Sequence, residues 1–310
     1  MTLSPTWIGI DVSKAWLDVA DPASQRVERL ANEPARLAAF AASLEGRDVI
    51  VVFEATGCYD AGLRQALHAA GVGSARVNPQ RARDFARATG QLAKTDAIDA
   101  AMLAEMGRAL RLAADPAPDG SREKLNRLNK RRDQLVAMRQ QEKVRRAEAA
   151  DPAIRADLDQ HIAWLDAAVS TVETAIRDVV EASAPMAGTE ALIRSVPGVG
   201  PVTAAILLGL LPELGHRSAK QIAMLAGLAP VNHDSGAKRG HRAIRGGRRR
   251  VRQAIYMAAV ASLTTTSPLK AFYKRLKDAG KPTKLALIAL ARKILTTLNA
   301  IVSTQSYFKP

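Results

Sequence analysis

Four acidic residues could share one task. Asp11 stands in "GIDVSK", Glu54 in "VVFEATG", and Asp96 and Asp99 in "KTDAIDA". Carboxylates clustered without partners repel one another and resist ionisation. A divalent cation relieves that conflict. Oxygen ligands suit Mg2+ or Mn2+, which keep bound waters and take substrate phosphate. Two such ions about 4 Å apart activate one oxygen and stabilise the leaving oxygen at a phosphodiester. Taken singly, each residue has a plainer reading. An Asp after a strand is commonly a turn or cap residue, Asp96 suits the positive end of a helix, and Asp99 fits a solvated helix position. The set is stronger than any member.

A second stretch carries different chemistry. "DSGAKRGHRAIRGGRRRVR" starts at Asp234 and holds eight Lys/Arg among glycines. Lys238, Arg239, Arg242, Arg245, Arg248, Arg249 and Arg250 suit a phosphate backbone, or a solvated basic face. Ser235 heads the run. It reads as a turn residue before glycine, or as a nucleophile that needs a base or a metal to activate it. Asp234 and His233 are too local to be assigned as that base. Upstream, "IRSVPGVGPVTAAILLGLL" has the form of a helix-hairpin-helix. Gly198 and Gly200 would let backbone N–H groups face a DNA phosphate without a Cβ in the way. A tight apolar turn that packs helices is the plainer alternative.

The carboxylates need a sheet to gather them. "TWIGIDV" reads as a strand that turns through "SKA" into "AWLDVAD", with "RVERLA" as a third. "EPARLAAFAASL" has helical spacing with a proline at its start. "DVIVVFEAT" is a β-branched run typical of a strand buried on both faces. Helix, strand and further helix follow. This pattern predicts an α/β domain with a mixed sheet covered by helices. Adjacent strands would bring Asp11 and Glu54 together, and i,i+3 spacing puts Asp96 and Asp99 on one helix face.

"ADPAPDGS" at 114–121 is a break, which sets a first domain at 1–113. Two long helices follow, joined by "DPA" at 151–153. The second carries Ile154, Leu158, Ile162, Leu165, Val169, Val172, Ile176 and Val179, a heptad seam. The expectation is an antiparallel coiled-coil hairpin at 114–183, closed on itself or joined to another chain. After "SAPMAGTE", residues 184–310 read as an all-α domain with one basic interruption.

The whole chain has 310 residues, 45 Lys+Arg against 30 Asp+Glu, and a net charge of +15. That balance calls for a polyanionic partner, most simply nucleic acid. An anionic membrane surface fits less well, because aromatics are only 4% and such anchors use them. The single cysteine, Cys58, excludes a disulfide framework within the chain. The N-terminus lacks the features of a signal peptide. The apolar run "VTAAILLGLLPELG" is too short to span a bilayer. A cytoplasmic protein without a membrane partner is expected.

"GIDVSK", "FEATG" and "KTDAIDA" resemble the three acidic motifs of the DEDD transposases of bacterial insertion-sequence family 110. "GLAP", the "SG" pair, the basic glycine-rich segment and "SPLKAFYKRLKDAGKPTKLALIALARKIL" continue the resemblance over nearly the whole chain. The resemblance implies a RuvC-like, RNase H-like N-terminal domain with Asp11, Glu54, Asp96 and Asp99 as its catalytic, metal-binding tetrad. It implies a C-terminal transposase domain in which Ser235 attacks a DNA phosphodiester and forms a phosphoserine link. It also implies Mg2+ (Mn2+ being possible), donor and target DNA, a structured bridge RNA that selects both, and a dimer or tetramer whose protomers combine domains into one active site. The rival enzyme class is a metal-dependent nuclease or junction resolvase in which water attacks. The non-catalytic rival is a helix-hairpin-helix nucleic-acid-binding protein.

Overall fold

The computed structural model describes residues 5–24, 26–55, 57, 59–91, 95–231 and 243–309. The chain forms two compact units, Met1–Pro118 and Asp119–Pro310. The division falls inside the Pro/Asp/Gly stretch 114–121.

The first unit is built on strands β1 (Thr6–Val12), β2 (Trp16–Ala20) and β3 (Val27–Ala31), helix α1 (Pro34–Ser43), β4 (Val49–Glu54), α2 (Ala61–Ala69), β5 (Gly73–Val77), α3 (Pro79–Ala88) and α4 (Asp96–Leu110). The sheet order is β3-β2-β1-β4-β5. The first three strands form an antiparallel meander. After helical crossovers, β4 pairs parallel to β1 and β5 parallel to β4. This is the mixed α/β arrangement that the strand–helix pattern predicts, and it is consistent with an RNase H-like domain.

Alternation along β1 and β4 divides the core into two layers. Ile8, Ile10, Val12, Val51 and Phe53 pack on one side with Leu37 of α1 and Leu63 and Leu67 of α2. Trp7 and Val52 face the other side with Met102, Leu103 and Met106 of α4. Both faces of the central strands are therefore covered, which is why "VIVVF" is a continuous apolar run.

The second unit opens with α5 (Gly120–Glu148) and α6 (Pro152–Glu181). Asp119 and Asp151 cap these helices by accepting from Arg122 N and from Ala153 and Ile154 N. The two helices run antiparallel, because Arg132 pairs with Glu173, Arg139 with Asp166 and Arg146 with Asp159. Leu165, Val169, Ile176 and Val179 of the heptad pattern are buried, while Ile154 near the tip is 55% exposed.

The remaining elements are α7 (Ala184–Arg194), α8 (Pro201–Leu210), α9 (Ala219–Leu225), a two-stranded ladder of β6 (Pro230–Val231) and β7 (Ala243–Ile244), α10 (Arg249–Ser262), α11 (Pro268–Asp278) and α12 (Thr283–Thr304). The root of the hairpin shares one core with these helices: Leu125 and Ile176 pack in the same cluster as Leu207, Ile255, Ile294 and Leu298. Asn129, buried on α5, donates to the Ala205 carbonyl of α8 at 3.1 Å. Helix α12 exceeds the apolar run singled out in the sequence. It is long and apolar enough to cross a membrane by length and composition, but 56% of that window is buried inside the protein's own core.

Candidate active site and basic segment

Strand register assembles the acidic site. Asp11 pairs directly with Asp18 across the β1–β2 ladder. Ile10 lies opposite Phe53, so Asp11 and Glu54 are the next residues along two neighbouring parallel strands. Residues level with one another share a face of the sheet. Trp7, Gly9 and Asp11 thus face α4, and Glu54 lies level with them.

Helix α4 brings the other two carboxylates. Thr95 caps it, accepting from Ile98 N at 3.3 Å, and Asp96 and Asp99 occupy its first turn. The helix seats closely because of glycine. A Cβ at Gly9 would overlap the Ala100 carbonyl oxygen and the Ala104 amide nitrogen, and one at Gly107 would overlap the Trp7 ring and Val52. Ala100, Leu103, Ala104 and Gly107 form the buried stripe of α4, in register with Asp96 at i+4, i+7 and i+8. One stripe therefore sets both the packing and the position of the acids.

The electrostatics show convergence. Burial pushes the Asp11 carboxyl up to about 6, and the charges of Asp96, Asp99, Asp18 and Glu54 push it the same way. Asp11 and Glu54 are half-buried, Asp99 is half-buried and Asp96 is exposed. Sequence reasoning missed the fifth carboxylate, Asp18, and its partner Arg29. The guanidinium of Arg29 forks onto Asp18, with Nε 2.9 Å from Oδ1 and Nη2 3.0 Å from Oδ2. The same Nη2 reaches Asp96 Oδ2 at 3.1 Å. Arg29 therefore ties the middle of the sheet to the start of α4. Hairpin register was the available signal: closing β1 on β2 through "SKA" sets Asp18 opposite Asp11.

The donor set suits a hard divalent cation: carboxylate oxygens gathered around Asp11, whose carboxyl is raised first by burial and then by its acidic neighbours. Among the described residues no three of these side chains close around one point.

In the second unit, Ser235, Lys238, Arg239 and Arg242 lie outside the described residues. Their flanks are described: Pro230 pairs with Ile244 and Val231 with Ala243. Gly246 and Gly247 have φ of 68° and 67°. At Gly247 a Cβ would strike the backbone of Gly227, so the turn into α10 and the "GLAP" turn approach as bare backbone. Arg252 secures this corner by donating to the Gly246 carbonyl at 2.6 Å.

The arginines at the start of α10 differ in use. Arg248 forks onto Glu213, with Nη2 2.7 Å from Oε1. Arg250 forks onto Asp133 of α5, with Nη2 2.6 Å from Oδ1. Arg245 and Arg249 are exposed. No acidic residue occupies the first turn of α10, so arginines crowd the positive end of a helix dipole, where an anion is favoured. The two glycines of "PGVG" also part ways. Gly198, at φ 87°, lets the turn press on α10, since a Cβ there would overlap Ala258 O and Ser262 N. At Gly200 a Cβ would meet nothing within 4 Å, and its backbone opens α8.

A mixed sheet with carboxylates at the ends of β1 and β4, in one chain with a basic helical unit, fits a phosphodiester-processing enzyme of the transposase class. Residues 8–151 match a family model described as "Transposase" for the DEDD proteins of IS110 type. Residues 190–274 match "Transposase IS116/IS110/IS902 family". The chain belongs to this IS110 family of transposases and is a DNA transposase/recombinase. It is similar to the pilin gene-inverting proteins of Moraxella lacunata and Moraxella bovis, each 28% identical over 230 residues, which is 73% of this chain and 71% of the relative. It is also 30% identical to an uncharacterised 44.8 kDa protein of insertion element IS116 from Streptomyces clavuligerus, over 57% of this chain and 44% of that protein.

Proposed function

We propose that this chain cuts and rejoins DNA strands by phosphodiester exchange, with Asp11, Glu54, Asp96 and Asp99 holding Mg2+ and Ser235 as the nucleophile. The observation that carries the reading is the convergence on Asp11, whose carboxyl is pushed to about 6 by burial and by four neighbouring carboxylates. Such an arrangement is costly unless a cation neutralises it. A bound divalent ion supplies charge compensation at a phosphate oxygen.

The chain's own residues have separable tasks. Ser235 Oγ bonds to phosphorus while the deoxyribose oxygen opposite leaves and takes up a proton; the serine proton passes to solvent. A deoxyribose hydroxyl then attacks the phosphoserine, restoring the serine and rejoining the strand. The number of phosphodiester-type bonds is conserved, so no external energy source is needed. Exposed Arg245 and Arg249, with Lys238, Arg239 and Arg242, hold the backbone. Arg248 and Arg250 position α10 through their ion pairs, and Gly200 offers its backbone to phosphate in a helix-hairpin-helix. Gene inversion, as the name of the Moraxella relatives states it, requires every cut strand to be rejoined. Water as nucleophile does not achieve that, which favours serine over the nuclease reading.

Target choice falls to a bridge RNA. In support, the chain has only five Phe, four Tyr and three Trp, too few rings to read a target sequence base by base. The hairpin pairs with a second copy as a coiled coil. Met138, Val144, Ile154 and Trp164 are exposed along it, a placement that suits burial in an oligomer.

The test is to trap a covalent protein–DNA adduct with Mg2+ present. The adduct is expected from the natural chain and absent from Ser235→Ala and Asp11→Ala. Full recombination by Ser235→Ala would overturn the serine mechanism, and strand cutting without rejoining in that variant would point to the nuclease.

A further inference from the structure

The second unit carries a groove that the reaction above does not use. It lies between α12, the start of α11 and the C-terminal segment, with a volume of about 520 Å3. Lys293, Thr296, Thr297, Ser306, Tyr307 and Lys309 line it, and no carboxylate does. From Pro268 onward the chain has nine Lys or Arg against one acidic residue, Asp278.

Two features make this more than a basic surface. First, cations are gathered without neutralisation. Arg275 Cζ lies 5.4 Å and Lys293 Nζ 5.9 Å from the centroid of the same Phe272 ring. Neither forms an ion pair among the described residues. Two cations without a carboxylate partner there favour an anion beside them. Second, the chain turns an aromatic outward and holds it there. Gln305 ends α12 in the left-handed region, Ser306 N donates to Ile301 O, and Phe308 N donates to Ser195 Oγ at 2.9 Å. Phe308 packs against the core. Alternation in this extended segment throws Tyr307 and Lys309 to the outer side. Tyr307 is 62% exposed, the most exposed of the large apolar side chains described, in a chain that has few aromatics.

An exposed ring on a backbone held from both sides, beside cations that form no ion pair among the described residues, is the chemistry that takes an unpaired base and its phosphates. We propose that this groove binds single-stranded DNA, with Tyr307 stacking on a base and Lys293 and Lys309 on the backbone. A duplex hides its base faces in the stack and would leave Tyr307 unused. Strand exchange exposes single strands, so a protein of this class meets that ligand at its own substrate. Neither Ser235 nor a member of the acidic tetrad is among the groove's lining residues.

The experiment measures fluorescence anisotropy of the full chain with labelled oligo-dT of about 12 nucleotides, a length in the range of known single-strand-binding domains, against a duplex and oligo-U of equal length. Tyr307→Ala is expected to weaken oligo-dT binding about tenfold and leave duplex binding unchanged, while Tyr307→Phe retains it. Lys293→Gln with Lys309→Gln is expected to flatten the oligo-dT salt slope by about 1.4. The same differences are expected in an Asp11→Ala background, which separates this site from the catalytic reading. Unchanged oligo-dT affinity in Tyr307→Ala, an equal loss on duplex, or a loss confined to oligo-U would each overturn the proposal. Thermal melts matching the natural chain establish that the variants are folded.

Discussion

At the residue scale, Asp11 is held where its charge is unwelcome. Its folded-state pKa of about 6 lies above the ordinary 3.8. A raised carboxyl costs stability as pH rises from about 3.8 to 6, and the cost is fully present above that window. Asp11→Asn is therefore expected to stabilise the first unit by about 1 kcal/mol at neutral pH without divalent ions, after allowing for solvent screening. The same variant should lose both strand cutting and any melting-temperature gain on adding Mg2+. A lower melting point in Asp11→Asn would contradict the repulsion. Arg29 has the opposite character. It is the counter-charge for buried Asp18 and reaches Asp96. Arg29→Met should lower the melting temperature, and Asp18→Asn in the same chain should restore part of it, because the uncompensated buried charge is then gone. Unchanged stability in Arg29→Met would show that the fork carries no weight.

At the scale of elements, the seating of α4 on β1 decides whether there is a site. Gly9 leaves no room for a Cβ against the α4 backbone. Gly9→Ala is expected to cost about 1–3 kcal/mol, or about 5–10 °C in melting temperature for a unit of this size. Strand cutting should fall further than stability explains, since Asp96 and Asp99 ride on the displaced helix. Wild-type cutting in a folded Gly9→Ala chain would show that the acids do not depend on this packing. In the second unit, the Arg248–Glu213 fork anchors the turn into α10. Burial raises the Glu213 carboxyl, but hydrogen bonds from Arg248 and the backbone, with the charges of Arg248 and Arg217, hold it below its ordinary 4.5. A depressed carboxyl contributes stability above the unfolded value and loses it as pH falls through the folded one. The stability gap between the natural chain and Glu213→Gln should therefore be widest above pH 4.5 and close in more acidic buffer. A gap independent of pH would mean that the carboxyl's charge is not what matters.

Across the whole molecule, the charge of +15 implies that binding of DNA or RNA releases many counterions. Affinity should fall steeply with salt, by about 10³ or more between 50 and 200 mM if six or more phosphates are neutralised. A nearly flat salt dependence, measured by filter binding or anisotropy, would count against a backbone-reading protein. Arg248→Gln should weaken binding less than Arg249→Gln, because Arg248 is already engaged by Glu213.

Sequence by itself determined what is periodic or local. The two-residue alternation of "TWIGIDV", the β-branched "VIVVF" and the heptad seam from Ile154 to Val179 predict their elements to within a residue or two, although the seam is buried only from Leu165 onward and Ile154 is exposed. The types of the four acids and their places at strand ends and in a helix first turn were equally legible. Tertiary structure alone decided which charges are spent. Asp133 lies 117 residues from Arg250, and Glu213 lies 35 residues from Arg248; no local pattern records such pairs. It also decided that Gly198 serves helix packing while Gly200 stays open, though both stand in one "PGVG" turn. It made Arg29 a tie between Asp18 and Asp96, and Tyr307 an outward ring. The physical reason is the same in each case. Burial periodicity is written along the chain, but the partner that neutralises a charge or fills the space beside a glycine arrives from a distant element once the chain has folded.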